Sequence, residues 1–541
     1  MLKSILLLTL VGSALTMRAE PGKDLTIGFC ASLPTSFSPI EPGGHAKNYA
    51  QYLLHDSLIV FDEKWQPACH RCASLPSAQN GQMKWQELAH KIRKLRLTFE
   101  LNPNWFWGDG KPVTVDDIIF TWKVLRSGGD VDRRNILREV VKIEQDPKIP
   151  RRFYLTLDRV APFFEDMTRF FLLPKHLEEK IWNEAYGNLA LYLENSNYRI
   201  NPTLPGLYNG AFVISSVSPA LQLTPNRFDK LPHGNITLLT FVDLVATKQP
   251  VDFEPEQLPR PANCRRMQDT TASRVKTFIG DSLDLDVIQF NLRNAILRDV
   301  KVRQAMAMGV DKEAIIAALP NRDLLPVSGF VHPADPFFDG QVKYFDLDRG
   351  QSALLLEASQ WFTGKGFPRE KNEKKFVVEL YTSERFERVK TVELFKTQMA
   401  AIGIEVVPRI VSESDFLADL VRLNYPGLAF YTVRIPLAAS LRSLFSKQAI
   451  PNVRNGYTGQ NLSAWIVEKV DKAIDSLDEL IDMEQRRQAV QQIQREFSAE
   501  LPFIPLGYHV NKAFAIKDMQ NFAIPGNQQP SSIWARRWVL R

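Results

Sequence analysis

Residues 95–125 read LRLTFELNPNWFWGDGKPVTVDDIIFTWKVL, and this stretch decides the fold. Its first residues alternate between apolar and polar side chains, which predicts a strand with one buried and one solvent-exposed face. Asp109-Gly110 predicts a turn, because glycine tolerates positive φ angles that other residues avoid. Thr114 with Asp117 three residues later predicts the N-terminus of a helix. The stretch therefore predicts a strand, an aromatic turn and a capped helix in succession.

Residues 107–118 within this stretch, WGDGKPVTVDDI, carry a family resemblance. They resemble the W-S-D-G-x-P-V-T-A-x-D-V signature of the extracytoplasmic solute-binding proteins of ABC importers, in the oligopeptide, dipeptide and nickel-binding family (family 5). Gly108 replaces the usual serine and Val115 the usual alanine. Further similar segments extend from about residue 24 to residue 506, with a gap near residues 249–283. The segment 249–271 shows neither the hydrophobic period of a helix nor that of a strand. We interpret it as a linker or rebuilt segment.

The resemblance implies an α/β fold of the periplasmic-binding-protein type, in its large three-lobe form (type II). Two lobes would close on a ligand, and an additional α+β lobe would accompany them. A chain of 541 residues is long enough for several such lobes. The predicted ranges are a signal peptide at 1–19, lobe I at 20–55, lobe II at 56–195, lobe I again at 196–280, lobe III at 281–500 and a return to lobe I at 501–541.

Charge and targeting signals point to an exported protein. The formal net charge of +6 is small for this length and spread along the chain, so it gives no support to nucleic acid as a partner. Residues 1–19 combine Lys3, a short apolar run and small residues, which is typical of a secretory signal peptide. No cysteine lies near this segment, so we expect no lipid anchor. We therefore predict a soluble periplasmic protein.

The four cysteines are Cys30, Cys69, Cys72 and Cys264. Cys69-His70-Arg71-Cys72 lacks the following histidine of a haem-attachment motif, and no second C-x-x-C completes a zinc site. In an oxidising compartment we favour a local Cys69–Cys72 disulfide, or a pairing of one of these with Cys30 or Cys264. A metal or redox role is the less favoured alternative.

Catalytic and metal motifs are absent from the sequence. The eight histidines form no H-E-x-x-H pair, and neither a G-x-S-x-G elbow nor a P-loop occurs. Asp116 and Asp117 are explained by helix capping and the helix dipole. Trp105 and Trp107 are assigned to the core of a lobe rather than to a ligand platform. We predict a binding protein that is not an enzyme and has no cofactor or metal.

Ligand contacts are implied by the resemblance rather than by any local motif. By the resemblance, the candidate ligand contacts are Ser36, Phe37, Leu207, Tyr208 and Tyr457. Tyr431 and Arg434, from residues 428–441, are further candidates. In that last segment the family's peptide binders commonly carry an aspartate that anchors the ligand's α-amino group. Here the segment has no acidic residue and contains Arg434 instead. Because a buried ammonium without a partner is costly, we hypothesise an acidic or amino-blocked ligand that contacts Arg434. An ordinary surface or inter-lobe role for Arg434 remains the alternative.

The resemblance implies a periplasmic substrate-binding component that captures a peptide-like solute between hinged lobes. Its partners would be an ABC permease and ATPase at the inner membrane, and we expect a monomer. A binding protein that has been repurposed for regulation or scaffolding is the first alternative. A secreted hydrolase acting on peptides or cell-wall fragments is the second, although no nucleophile–base pair supports it.

Overall fold

The computed structural model describes residues 23–87, 92–127, 139–160, 167–247, 250–256, 264, 274–319, 323–342, 345–364, 366–437 and 441–541. The predicted signal peptide lies outside the described residues, as does most of the predicted linker at 249–271.

The strands of the described residues are β1 Lys23–Phe29, β2 Ile59–Phe61, β3 Pro67–Cys69, β4 Met83–Glu87, β5 Arg93–Glu100, β6 Val140–Gln145, β7 Arg152–Leu157, β8 Phe212–Ser216, β9 Leu221–Pro225, β10 Ile236–Asp243, β11 Phe253–Glu254, β12 Val275–Phe290, β13 Leu324–Pro326, β14 Glu370–Lys371, β15 Lys374–Lys375, β16 Val377–Ser383, β17 Glu405–Val411, β18 Leu428–Arg434, β19 Phe503–Ile516, β20 Met519–Gln520 and β21 Val539–Leu540.

The α-helices are α1 His45–Leu54, α2 Val115–Ser127, α3 Lys175–Glu184, α4 Leu189–Asn195, α5 Asn197–Ile200, α6 Val300–Met308, α7 Lys312–Ala317, α8 Arg349–Ala358, α9 Phe386–Ala401, α10 Glu413–Val421, α11 Arg442–Phe445, α12 Glu468–Leu477 and α13 Met483–Glu500. Short 3₁₀ helices cover Pro205–Leu207, Lys447–Ala449, Val453–Asn455 and Ser531–Arg537.

The strand and helix predicted for residues 95–125 are confirmed. β5 buries every second residue, and α2 begins directly after Thr114. The carboxylate of Asp117 accepts hydrogen bonds from the backbone N–H of Thr114 at 2.8 Å and of Lys175 at 2.8 Å. Asp117 is buried, and this burial raises its pKa against the opposing effect of those hydrogen bonds. The same carboxylate thus caps α2 and ties it to the start of α3.

β5 belongs to a small antiparallel sheet with the order β4-β5-β7-β6. Residues 138–157 predict two strands around a turn at Asp146-Pro147, and the β6–β7 pair confirms them. Trp105 and Trp107 are 1% and 0% exposed and pack with the buried face of this sheet, which confirms their assignment to the core. We call this group of buried residues the tryptophan cluster.

A large mixed sheet of eleven strands forms the centre of the molecule. Its order is β17-β16-β18-β12-β19-β11-β1-β10-β9-β8, and β13 pairs with β19 beside this path. The sequence predicts a strand at 375–381, an amphipathic helix at 385–402 and a strand at 404–410, which together form a βαβ unit. This prediction is confirmed, because β16 and β17 are parallel neighbours connected by α9. β1 is parallel to β10 at the other end of the sheet.

Two separate apolar clusters pack on this sheet. The β1 cluster includes Ile27, Tyr49, Phe241 and Trp538, and the β18 cluster includes residues from Leu285 to Tyr508. The five predicted lobe ranges remain a prediction. Cluster membership crosses their borders, because Phe120 and Val124 of the 56–195 range pack in the β1 cluster. The separate cores are consistent with more than one compact unit.

β12 and β19 connect the two clusters. Residues 275–281 of β12 pair with residues 510–516 of β19, and residues 285–289 pair with residues 503–508. Between these two ladders the register shifts, so that residues 282–284 have only His509 opposite them. Such a bulge bends and twists a strand locally. The bulge lies where both strands leave the β1 cluster and enter the β18 cluster.

Two disulfides join the four cysteines. Cys69 pairs with Cys72, which is the local disulfide favoured from the sequence, and Cys30 pairs with Cys264. The Cys69–Cys72 turn holds Arg71, whose side chain is 1% exposed.

Arg71 enters a buried group of four charges with Asp56, Asp229 and Arg536, which we call the ion quartet. Arg71 donates to Asp56 through Nε and to Asp229 through an Nη, both at 2.6 Å. Arg536 donates to Asp229 through Nε at 2.6 Å and to both oxygens of Asp56 at 3.0 and 2.7 Å. Each carboxylate is therefore held by both guanidinium groups, which links chain segments that are far apart in sequence.

Candidate functional site

A cavity of about 580 Å³ lies where α1, β12, β18 and the segment after β19 approach one another. Its wall contains α1 residues, Leu125 at the end of α2, residues 169–171, Glu256, residues of β12, β18 and β19, and residues 527–530. The volume falls within the range of about 300–1,000 Å³ that is usual for small-molecule sites. The cavity adjoins the β12–β19 bulge, because Asp284 and Asn511 belong to its wall.

Glu256 is the buried acid of this cavity. Its carboxylate accepts hydrogen bonds from the backbone N–H of Ser531 at 2.6 Å and from Ser531 Oγ at 2.7 Å. Tyr49 Oη lies 2.9 Å from the same Ser531 hydroxyl. Burial raises the pKa of Glu256, and the hydrogen bonds from Ser531 oppose that effect. Both carboxyl oxygens of Glu256 are therefore already engaged by the protein.

Asp284 and Arg434 form an ion pair in the wall of the cavity. Arg434 Nε lies 2.8 Å from Asp284 Oδ1, and an Nη of Arg434 lies 3.0 Å from Oδ2. The antiparallel register of β12 and β18 places the two residues directly opposite each other. This two-bond geometry fits the planar guanidinium to the carboxylate and fixes the direction of both groups.

Arg169 is a second arginine of the cavity wall, and its side chain is exposed. No described residue accepts a hydrogen bond from its guanidinium or forms an ion pair with it. Its positive charge acts on the neighbouring Tyr52, whose pKa is nevertheless raised to about 12 by burial. Tyr52 therefore keeps its phenolic proton at neutral pH.

His45 also borders the cavity but adds no positive charge to it. Burial lowers its pKa to about 4, against the opposing effect of a hydrogen bond with the backbone of Glu256. His45 is therefore a neutral imidazole at pH 7.

Among the seven predicted ligand contacts, Arg434 is the one that the structure places in the cavity wall. Tyr431 lies on the same strand but points into the β18 cluster, with its hydroxyl 3.0 Å from Gln289 Oε1. Ser36 and Phe37 are buried just before Pro39 and Ile40, which do border the cavity. Tyr457 follows Gly456 in a separate turn and is partly exposed.

Leu207 and Tyr208 are both 0% exposed and belong to the β1 cluster. The reason lies in the Trp-Gly-Asp-Gly turn, because the N–H of Gly108 donates to the carbonyl of Tyr208 at 2.8 Å. A Cβ atom at position 108 would overlap the carbonyl oxygen of Pro205, so this close contact requires glycine. The loop at 205–208 thus packs against the family motif, and its two predicted ligand contacts have no accessible surface in this conformation.

The sequence reasoning did not find Arg169, Glu256 or the amide side chains of residues 527–529. Glu256 lies within the segment 249–271, which has no readable hydrophobic period, and residues 527–529 lie in a C-terminal segment without a motif. Asp284 was also missed, because its pairing with Arg434 depends on the register of strands 150 residues apart.

An acid–histidine pair, Asp286 and His509, lies between β12 and β19. His509 Nε2 lies 2.8 Å from Asp286 Oδ1, and Thr432 Oγ1 donates to that same oxygen at 2.6 Å. A nucleophile–base pair needs the hydroxyl at the imidazole, with the carboxylate on the far side. Here the hydroxyl and the imidazole share the carboxylate, which is a structural arrangement between β12, β18 and β19.

Within the described residues, no group of three or more His, Cys, Asp or Glu side chains is arranged to hold a metal ion. Among the same residues, no helix has the length and apolar character needed to cross a bilayer.

The family model for bacterial extracellular solute-binding proteins, family 5 (Middle), matches residues 90–435. The chain belongs to this family. Oligopeptide-binding protein AppA of Bacillus subtilis (strain 168) is 22% identical over 520 residues, which covers 93% of this chain and 90% of AppA.

Two solved structures show how closely the fold agrees. HbpA2 from Haemophilus parasuis matches with a TM-score of 0.73 at 16% identity, over 96% of this chain and 100% of that one. AppA from Bacillus subtilis in complex with a nonapeptide matches with a TM-score of 0.63 at 18% identity, over 96% and 99% of the two chains. The predicted family and its α/β periplasmic-binding-protein fold are thereby confirmed.

Proposed function

We propose that this protein is the substrate-binding component of an ABC importer and captures a peptide-like solute in the cavity beside the β12–β19 bulge. The observation that carries the proposal is the position of that cavity. Its wall combines Tyr49 of α1, which packs in the β1 cluster, with Asp284 in the bulge and Arg434 opposite it on β18. Bending at the bulge would close these groups around a solute and bury it.

The relatives give the solute class. AppA of Bacillus subtilis is named as an oligopeptide-binding protein, and one of its structures contains a nonapeptide. A Brucella ovis relative, 21% identical over 462 residues, is named as a putative ABC transporter peptide-binding protein. At these identities the side-chain preferences of the relatives do not transfer, so the proposal extends to peptide-like solutes as a class.

Thermal denaturation with pools of short peptides tests the proposal. A solute that binds the folded protein at about 100 times its Kd adds about 2.7 kcal/mol of stability and raises Tm. We expect at least one pool to raise Tm in proportion to the logarithm of its concentration. Failure of every pool to shift Tm would count against a peptide-like solute.

A variant with a filled cavity provides the control. Gln528 borders the cavity and is partly buried, so Gln528→Trp places a large ring where the solute would lie. Gln485 is exposed in the first turn of α13, and Gln485→Trp makes the same chemical change far from the cavity. We expect Gln528→Trp to lose the peptide-induced rise in Tm and Gln485→Trp to keep it. Equal responses of the two variants would place the binding site elsewhere.

We further propose that the protein is exported by a cleaved signal peptide without a lipid anchor, acts as a monomer and has no catalytic activity of its own. Its partners would be a membrane permease and an ATPase. The family is extracellular by description, which supports export. N-terminal sequencing of the mature protein tests the cleavage, and a mature chain that still begins at Met1 would refute it.

A further inference from the structure

The two carboxylates of the cavity wall already accept hydrogen bonds from the protein. Both oxygens of Glu256 accept hydrogen bonds from Ser531, and both oxygens of Asp284 are bonded by Arg434. A ligand ammonium would have to share these oxygens with their present donors, and the charge of Asp284 is already balanced by Arg434.

The donor groups of the cavity, in contrast, include several without a partner among the described residues. Asn527 is 7% exposed and Gln529 is 3% exposed, and the side-chain nitrogens of both are buried without a hydrogen-bond acceptor. Their orientation follows from their oxygens: Asn527 Oδ1 accepts from the N–H of Gln529 at 2.8 Å, and Gln529 Oε1 accepts from the N–H of Phe61 at 2.9 Å. The unpartnered atoms of Asn527 and Gln529 are therefore their NH₂ groups.

Two more donors in the wall have the same property. The side-chain nitrogen of Gln528 and the hydroxyl of Tyr52 are buried and lack partners among the described residues. Buried donors are paired in native proteins in the great majority of cases, so such a concentration in one cavity wall calls for an acceptor-rich occupant.

The charge of the cavity agrees with this reading. Arg434 is neutralised by Asp284, and His45 is neutral at pH 7. Burial raises the pKa of Glu256, which disfavours a negative charge on that carboxyl. Arg169 is left as a cation of the wall that forms no ion pair with any residue in the described ranges. A guanidinium prefers a carboxylate, which it can bind through two parallel hydrogen bonds.

We propose that the solute is anionic, and that Arg169, together with the amides of residues 527–529, binds a carboxylate of a peptide-like ligand whose amino group is blocked or not required. This inference rests on the proposed function and names the chemical class of its solute. Arg169 then binds the negative charge of the solute. Neither the sequence nor the relatives single out this residue. Arg434 then serves to hold Asp284 in its place in the wall.

The test uses tri- and pentapeptides of identical sequence in differently capped forms. One form is zwitterionic, one is N-acetylated with a free carboxylate, one is C-amidated with a free amine, and one is blocked at both ends. Isothermal titration calorimetry at neutral pH measures Kd for each form. We expect the N-acetylated carboxylate to bind at least as tightly as the zwitterion, and both to bind at least about tenfold more tightly than their C-amidated counterparts, a difference of about 1.4 kcal/mol.

Arg169→Ala is the decisive variant, and Arg199→Ala is its matched control. Both arginines are exposed, so both variants should fold, but Arg199 lies on α5 outside the cavity. We expect Arg169→Ala to abolish the preference for the free carboxylate and Arg199→Ala to retain it. C-amidated peptides that bind as tightly as carboxylates, or a preference that survives Arg169→Ala, would overturn the inference while leaving peptide binding intact.

Failure of the proposed function gives a different result. If no peptide form binds, a peptide-like solute is excluded, and citrate and tricarballylate then test the anionic class on its own. Binding of either polycarboxylate that is lost in Arg169→Ala and kept in Arg199→Ala supports the inference. No binding of either polycarboxylate to the unmodified protein overturns it.

Discussion

Asp56 and Asp229 are two buried carboxylates that share the same two arginines. Burial alone would raise the pKa of Asp56, but Arg536 and then Arg71 lower it well below its ordinary value. The pKa of Asp229 is also lowered, where the hydrogen bond with His233 and the charge of Arg536 outweigh burial. The four charges balance, so loss of one arginine leaves a buried negative charge without compensation.

Arg536→Met tests the charge balance of the ion quartet. Breaking a buried ion pair by removing one partner costs about 3–5 kcal/mol, and we expect a loss of this size in the free energy of unfolding at pH 7, measured by urea denaturation. Arg537→Met is the matched control, because Arg537 is exposed and pairs with the exposed Glu63. An exposed pair of that kind contributes only about 0–1 kcal/mol. Similar losses for the two variants would contradict a stabilising role for the ion quartet.

The same variant has a predictable pH dependence. A carboxylate whose pKa is lower in the folded state stabilises the protein above its unfolded pKa of about 3.9, and this stability is lost as the pH falls toward the folded value. Arg536→Met raises the folded pKa of Asp56 and so removes part of that contribution. We therefore expect the stability difference between wild type and variant to be largest at neutral pH and to shrink below about pH 4. A difference that grows on acidification would show the opposite linkage.

Gly108 lies at a position where the family usually carries serine. A Cβ atom would collide with the backbone at Pro205, so we expect Gly108→Ser to lower the free energy of unfolding by about 1–3 kcal/mol. Gly44→Ser is the control, since a Cβ there meets nothing within 4 Å and serine is a preferred residue at that helix N-cap. Urea denaturation of both variants makes the comparison. A Gly108→Ser protein as stable as Gly44→Ser would mean that the 205–208 loop can yield.

At the scale of elements, the two disulfides close loops of very different length. Cys30 and Cys264 are 234 residues apart, and Cys69 and Cys72 are three residues apart. Loop-closure entropy in the unfolded chain then gives stabilisations of about 5 and about 2 kcal/mol, respectively. We expect Cys30→Ser/Cys264→Ser to lose more stability than Cys69→Ser/Cys72→Ser by urea denaturation at pH 7. A larger loss from the short-range pair would instead mean that its main role is to hold Arg71 in the ion quartet.

Elements were predictable where local chemistry determines them. The alternation in β5 and the Thr114–Asp117 pair predicted a strand and a helix that the structure contains. The same holds for the parallel pair β16 and β17 around α9. Conversely, the burial of Leu207 and Tyr208 depends on the approach of a loop to Gly108 from about 100 residues away in the chain. Local sequence carries no signal for such a contact.

At the scale of the whole molecule, the cavity was less predictable than the fold. Its wall brings together segments from α1 to residue 530, and their meeting depends on sheet order and strand register rather than on any motif. Arg434 was found because the resemblance pointed to its segment, whereas its partner Asp284 required the β12–β18 register. The family motif at Trp107 lies in the tryptophan cluster, so it identifies the fold without identifying the solute.

Closure of the molecule around a solute would depend on the β12–β19 bulge. In β12 the ladder with β19 is interrupted at residues 282–284, and a second register shift lies between Asp286 and Val287. Backbone amides outside a ladder open at lower free energy than those within it. We therefore expect hydrogen exchange to be faster at residues 282 and 283 than at residues 276–279 or 287–289 of the same strand, which serve as internal controls.

A bound solute should change this pattern in a specific way. If closure occurs by bending at the bulge, a peptide that raises Tm should slow exchange at residues 282, 283 and 508–511, because the closed form restricts the bend. Residues 276–279, which lie wholly on the β1 side, should change little. Uniform protection along β12 would indicate general stabilisation without a hinge. Protection confined to α1 and residues 527–530 would indicate that the solute binds one side of the cavity and that the two sides do not close.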